Sequence, residues 1–227
     1  VGLLGAVLLG VVPVGAAAPA QAATAVLEPA VIDATISASR ARYGDSFTVQ
    51  GTTTCDEAPA TGSVTLHRRF DDAPEDAWKE LGTDTAARFS FTLRARGNAD
   101  YSVVYNGQVE GPVTCDRADA GGPQKVYRRI PVSISDRLVY SGRVAPAWAR
   151  KPVTIQVRRS GRWVTIDTVR TDLRSRWAKK LWARRGSRTH FRAVVPATAR
   201  FQRTAARSVY TYYASGRVGV SPRRSTG

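Results

Sequence analysis

The residues in this chain best suited to chemistry are its arginines. Arg158, Arg159 and Arg162 bracket Ser160-Gly161, and Arg174, Arg176, Lys179, Lys180, Arg184, Arg185 and Arg188 crowd the segments that follow. A guanidinium donates two parallel hydrogen bonds to a carboxylate or phosphate, so this composition points to recognition of anions. Trp182 stands inside the run. It and Trp148, beside Pro146, are the aromatics expected to face a ligand, whereas Trp78, Trp163 and Trp177 are expected to pack in the core or on a sheet. Residues 120–227 hold 25 Lys+Arg against 3 Asp+Glu, a net of +22; residues 23–119 hold 9 against 15, a net of −6. A surplus of that size exceeds what solubility requires and repels itself without an anion. The expected partner of the second half is therefore an anionic cell-wall polymer or acidic glycan, with nucleic acid bound only non-specifically. The plainer alternative is a solvated basic face with no ligand, on purely structural spacer domains of a larger or truncated secreted protein.

Other chemistry is thinly represented. The only histidines are His67, on the outward face of an alternating stretch, and His190, at the start of another. Any Ser-His-Asp scheme must use one of them, and both read more simply as surface or strand-edge residues. No Gly-rich phosphate loop, zinc spacing or Ca²⁺ loop motif is present, so no enzyme activity, metal or cofactor is expected. Asp71-Asp72-Ala73-Pro74-Glu75-Asp76 places four carboxylates in one loop. It reads as a solvated hairpin loop, with weak Ca²⁺ binding as the alternative.

The compartment is legible at the start of the chain. Val1 to Val14 is almost purely apolar and is followed by small residues and Ala20-Gln21-Ala22, the pattern of a signal peptide over residues 1–22. The usual basic start is missing and the chain contains no Met, so the true first residues are expected to lie upstream. An uncleaved anchor is the alternative, disfavoured by Pro13 and the limited apolar length. No later stretch reaches spanning length, so no membrane span is expected after cleavage. Cys55 and Cys115, an even count in an exported chain, read as a disulfide.

The elements that position these residues are strands. Short alternating runs such as Val64-Thr65-Leu66-His67, Phe89-Ser90-Phe91 and Tyr101-Ser102-Val103 are separated by Gly, Asp, Asn and Pro, the pattern of an antiparallel sandwich. The second half repeats the first. Leu138 to Gly142 answers Phe47 to Gly51, Val153-Thr154-Ile155 answers Val64-Thr65-Leu66, and the stretch ending at Trp163 answers that ending at Trp78. At an offset of 88, Trp177 answers Phe89 and Leu181 answers Leu93. His190 to Ala193 answers Asp100 to Val103, and Val209 to Tyr213 answers Val126 to Ile130. Residues 176–185 also read as a short cationic amphipathic helix, but the repeat favours a strand.

Tyr43-Gly44-Asp45, the strand ending at Gly51, Val64 to Arg69, Trp78 and Thr83-Asp84, echoed by Lys151 to Gln156, Gly161-Arg162-Trp163 and Thr171-Asp172, resemble the tandem immunoglobulin-like repeats of secreted actinobacterial proteins. The resemblance covers roughly residues 30–215. It implies an all-β architecture with spacer or adhesive roles and no shared catalytic residues. Two departures stand out: Ala86-Ala87 and Leu173-Arg174-Ser175 replace the Gly that often precedes the aromatic strand, and the strong basicity of the second copy is not a general property of such repeats. The expected organisation is a first immunoglobulin-like domain over 30–134, a strongly basic second over 135–215 and a disordered tail over 216–227. Val132-Ser133-Ile134 is readable as the end of the first or the start of the second. In such a sandwich the loops holding Cys55 and Cys115 lie at the same end, which permits their pairing. The few residues at the junction imply semi-rigid coupling.

Overall fold

The computed structural model describes residues 26–109, 113–214 and 217–220, and every regular element among them is a β-strand. Among the described residues no helix is long and apolar enough to cross a membrane. Residues 1–22, read as a signal peptide, lie outside the described residues.

The first sandwich comprises β1 (Val26–Glu28), β2 (Ala30–Ile36), β3 (Arg40–Arg42), β4 (Ser46–Cys55), β5 (Ala58–Pro59), β6 (Ser63–Phe70), β7 (Lys79–Thr85), β8 (Phe89–Arg94), β9 (Ala99–Tyr105), β10 (Gln108–Val109), β11 (Val113–Cys115) and β12 (Ala118–Tyr127). One sheet places β4 between β2 and β8, and the facing sheet runs β3-β12-β9-β6-β7. The chain changes sheets after β2, so β3 meets β12 in parallel while the long ladders remain antiparallel. Phe47, Val49 and Phe89 face Val64, Leu66, Tyr101, Val103 and Val126 across the core. Each such side chain contributes about 1.5–3 kcal/mol on burial. Cys55 at the end of β4 is bonded to Cys115 of β11, with their Cα atoms 6.0 Å apart.

The second sandwich comprises β13 (Val132–Ile134), β14 (Val139–Arg143), β15 (Pro152–Arg159), β16 (Arg162–Arg170), β17 (Arg176–Lys180), β18 (Thr189–Val195), β19 (Thr204–Ala205), β20 (Val209–Ala214) and β21 (Arg217–Val220). Here β14 lies between β13 and β17, facing a sheet ordered β16-β15-β18-β20-β21, with β19 also on β18. Tyr140 and Trp177 meet edge to face at 4.8 Å and cover Ile155, Phe191 and Ala193. Val132–Ile134 pairs with β14, and Ile134 packs in the second core. Residues 176–180 form a strand rather than a helix. The start of the segment read as a disordered tail is also a strand: β21 pairs with β20 through four residues. Val218 and Val220 supply β-branched residues that the polar composition of the tail masks. Residues 221–227 lie outside the described residues.

The repeat is visible in the ladders. Gly51 pairs with Phe89 and Gly142 with Trp177. A Cβ at Gly51 would lie 2.7 Å from the Phe89 ring, and one at Gly142 would lie 2.9 Å from the Trp177 ring. Each glycine thus lets an aromatic lie over the backbone of its neighbour. Both copies also carry a β-bulge at one matched place, between Leu66 and His67 and between Ile155 and Gln156. The last strand departs from the expected match. Val209 pairs with Phe191, the counterpart of Tyr101, and Tyr101 pairs with Gly122. Val209 therefore corresponds to Gly122 rather than Val126. A break between β19 and β20 divides the ladder that β12 continues without interruption.

The sandwiches are joined by more than a linker. The turn between β18 and β19 reaches back to the first sandwich, where Phe201 is buried in the first core. The Asn98 N–H donates to the Arg200 carbonyl at 2.7 Å, and its side-chain amide donates to the Ala199 carbonyl at 2.8 Å. Arg200 pairs with Asp72, and Arg129 pairs with Asp45 while donating to the Tyr43 carbonyl at 2.8 Å. Between the sandwiches Arg128 is 5% exposed. Its guanidinium lies 4.4 Å from the Trp148 ring and 4.2 Å from the Phe201 ring, and burial pushes its pKa down to about 10.

Candidate functional site

The densest gathering of the expected ligand-binding residues lies at one end of the second sandwich. The β15–β16 hairpin turns through Ser160 and Gly161, both at positive φ (47° and 80°). Two central residues of that conformation match the right-handed twist of the flanking strands, and glycine adopts it without strain. The tight turn leaves Arg158, Arg159 and Arg162 exposed at the tip, with Arg158 donating from Nε to the Gly161 carbonyl at 3.4 Å.

The second wall follows β17. Leu181 is buried as an anchor and Trp182 turns outward, 36% exposed, with its ring perpendicular to Phe191 at 5.1 Å. The Thr211 hydroxyl donates to the Trp182 carbonyl at 2.7 Å, and Tyr213 donates from its N–H to the Arg184 carbonyl at 3.1 Å. These bonds tie the loop to β20. Arg188 then lays its guanidinium 4.9 Å from the Tyr210 ring. Between hairpin and loop is a cleft of about 320 Å³ lined in part by Arg158, Arg159, Trp182, Arg184 and Arg188. Among the described residues no carboxylate lines it.

The other expected residues are placed differently. Arg162 and Arg185 are exposed but do not line the cleft. Arg174 and Arg176 lie before and at the start of β17, in and after a turn where Asp172 accepts both of their backbone N–H groups at 2.8 Å. Arg176 lines a separate, shallower groove of about 490 Å³ with Arg143, Asp172 and Trp177. Lys180 is exposed on β17. Lys179 is not a free cation: it pairs with Asp167 on β16, bridging the edges of the two sheets. The Lys179 hydrogen bond, helped by the Thr168 N–H, holds the Asp167 carboxyl below the usual carboxylate range.

For the tryptophans, one expectation is overturned and one is narrowed. Trp148 does not face a ligand; it is 4% exposed, donates from Nε1 to the Pro152 carbonyl at 2.9 Å and lies against Arg128. Trp78 is not a core residue; it is 40% exposed beneath Arg69, whose guanidinium is 5.2 Å from its ring. Trp163 holds the matched place in the repeat and lies on a sheet face under Arg192 at 4.4 Å, while Trp177 is buried.

Nothing in the sequence sets Arg128, Arg129 and Arg200 apart, yet they hold the joint between the sandwiches. Part of the charge asymmetry is thereby internal, since Arg129 and Arg200 neutralise Asp45 and Asp72 of the acidic half. In the acidic loop Asp71 pairs with Lys125 and Asp72 with Arg200, so two of its carboxylates serve packing. His67 is half-buried and His190 leans on Tyr210 at 5.7 Å. Among the described residues no group of three or more His, Cys, Asp or Glu could hold a metal ion.

The sheets define a tandem immunoglobulin-like β-sandwich protein with an internal disulfide. No protein-family model matches the sequence, and no curated protein is significantly similar to it. Among solved structures, a segment of two fibronectin type-III domains from chicken tenascin is similar at 13% identity and a TM-score of 0.42, covering 78% of this chain and 95% of that one. The ligand-binding domain of human OSCAR is similar at 13% identity and a TM-score of 0.26, covering 78% of this chain and 97% of that one. The first three fibronectin domains of chicken CNTN1 show 10% identity and a TM-score of 0.26, covering 79% of this chain and 64% of that one.

Proposed function

We propose that this is an exported, non-enzymatic binding protein, related to the repeats of secreted actinobacterial proteins, whose basic second sandwich attaches it to an anionic cell-wall polymer or acidic glycan. The first sandwich, pinned by its disulfide and clasped to the second, serves as a spacer that holds the binding end away from the N-terminal side. Many cell-surface domains use this architecture in such roles. The observation that carries the reading is the cleft between the β15–β16 hairpin and the loop after β17, where four arginines converge without a carboxylate. Export is supported by the apolar segment ending at Ala20-Gln21-Ala22 and by a disulfide of the kind that persists in oxidising compartments. Intact-mass measurement of the exported protein should give a chain beginning at Ala23.

The binding test uses the whole chain, because the sandwiches share Phe201. The protein is passed over immobilised teichoic acid, heparin and uncharged peptidoglycan glycan and eluted with NaCl. Neutralising Arg158, Arg159, Arg184 and Arg188 to Gln should move elution from the anionic columns to clearly lower salt. Neutralising Arg88, Arg94, Arg96 and Arg117 of the first half should have little effect. Binding to a linear polyanion draws on counterion release, so affinity should fall steeply with salt. Equal elution of the two variants would refute the reading and leave a spacer alone.

A further inference from the structure

We propose that the cleft between the β15–β16 hairpin and the loop after β17 is a subsite for one acidic pyranose residue, with the sugar ring against Trp182 and its acid group held by the surrounding arginines. This rests on the polyanion reading above and adds to it a discrete site within the basic surface.

Three observations point to a sugar ring rather than to charge alone. First, the cleft is enclosed enough to define a guest. At about 320 Å³ it lies at the lower end of small-ligand sites, the scale of a single ring rather than a long segment. Second, its lining is mixed in the way a sugar acid is mixed. Arg158, Arg159, Arg184 and Arg188 supply charged donors, and Ser160 and Ser187 supply hydroxyls that both donate and accept. Third, Trp182 is an outward indole, 36% exposed, that lines the cleft itself. It is held from behind by Phe191 and through its carbonyl by Thr211, so its position is set before a ligand arrives. A pyranose has an apolar C–H face suited to an indole and a polar rim suited to arginine and serine. A bare phosphate chain would use the arginines and leave the indole without a partner. Single-stranded nucleic acid would call for successive stacking platforms, whereas this cleft has one tryptophan.

The test compares ligands of similar charge, with and without rings, on the full chain. The probes are a chondroitin sulfate tetrasaccharide, tripolyphosphate and a thymidine tetranucleotide, titrated calorimetrically at several salt concentrations. Trp182→Ala should weaken the tetrasaccharide by roughly tenfold without altering the salt slope, and tripolyphosphate affinity should stay unchanged. Trp182→Phe, which keeps a ring, should recover most of the loss, and a circular-dichroism melt confirms that both variants fold. Arg159→Gln with Arg184→Gln should weaken both anions and flatten the slope for both. Equal effects of Trp182→Ala on tetrasaccharide and tripolyphosphate, or none on either, would overturn the sugar subsite while leaving polyanion binding intact. Trp182-dependent binding of the tetranucleotide at comparable affinity would also overturn it, in favour of base stacking. No binding of any probe even at low salt would remove the underlying reading as well.

Discussion

Replacing Phe201 with alanine should weaken the first sandwich, although Phe201 follows β18 of the second. Its side chain is 5% exposed and sits in the first core, with Tyr43 edge-on at 6.1 Å and the Arg128 guanidinium 4.2 Å from its ring. Truncating a buried phenylalanine costs about 3–5 kcal/mol. One part of that cost is offset, because water entering the space would solvate Arg128, whose burial now depresses its pKa. Loss of the Arg128–Phe201 cation–π contact largely cancels this relief, leaving a net loss of about 3 kcal/mol, at the lower end of that range. Hydrogen exchange followed by mass spectrometry reads the effect strand by strand. Amides of β9 and β12 should exchange roughly 100-fold faster at equilibrium, since each 1.4 kcal/mol is a factor of ten. Phe191→Ala, in the second core, supplies the comparison and should act first on β15 and β18. If Phe201→Ala raised exchange only in the second sandwich, with β9 and β12 at their original protection, the shared-core reasoning would be wrong.

Three further outcomes are expected. Cys55→Ser with Cys115→Ser should destabilise the first sandwich by about 4 kcal/mol in the chain-entropy model for a separation of 60 residues, measured by denaturant unfolding. Two thiols labelled by maleimide in the unfolded, unreduced wild type would contradict the bond. Gly142→Ala should cost about 1–3 kcal/mol, because its Cβ would meet the Pro131 carbonyl oxygen at 2.7 Å as well as the Trp177 ring; a thermal melt unchanged from wild type would refute this. Tyr140 is fully buried, and burial raises its hydroxyl above the usual value of 10.0, while the hydrogen bond it accepts from the Ala193 N–H pulls the other way. A folded pKa above the unfolded one means that the stabilisation is present below about pH 10 and is lost as pH climbs through higher values. Tyr140→Phe should flatten that alkaline loss in pH-dependent melts, at a cost of about 1–2 kcal/mol at neutral pH.

The strands were readable because their inward faces alternate. Val64 and Leu66, or Ile155 and Val157, announce one buried face whatever lies around them. The pairing of Phe89 with Trp177 in the repeat was readable because both occupy the same register beside a glycine, and a one-residue slip would turn each ring to solvent. The match of the last strand is not legible in the sequence, for a related reason. Residues 196–203 leave the ladder to form the joint, and the local pattern of Val209-Tyr210-Thr211 carries no record of that excursion. Exposure of single tryptophans also depended on distant partners. Trp148 is covered by Arg128, and Trp78 lies outside because it precedes the edge strand β7, with Arg69 above its ring. For the candidate site, composition identified the hairpin arginines and Trp182 but could not separate Lys179, which is paired with Asp167, or Arg174 and Arg176, which lie at the far end of β17. Arg128, Arg129 and Arg200 look like any other bases in a basic sequence; only the fold brings them to aromatic rings and carboxylates.

The position of the disulfide bears on how the molecule would carry a mechanical load. The bond closes the end of β4 opposite Ser46, whereas Asp45 and Phe201 belong to the joint at the other end. In a molecule pulled from its two termini, the covalent link takes the tension at Cys55 and passes it directly to Cys115. The chain between them, which includes β6, β8 and β9, is left out of the stretched path. At about 3.3–3.6 Å per extended residue, a separation of 60 residues conceals roughly 200 Å of slack. Single-molecule stretching would register the oxidised first sandwich as a short extension step that lengthens by that amount on reduction. A protein built in this way gives little under load for as long as its surroundings stay oxidising, and becomes a longer chain once they do not.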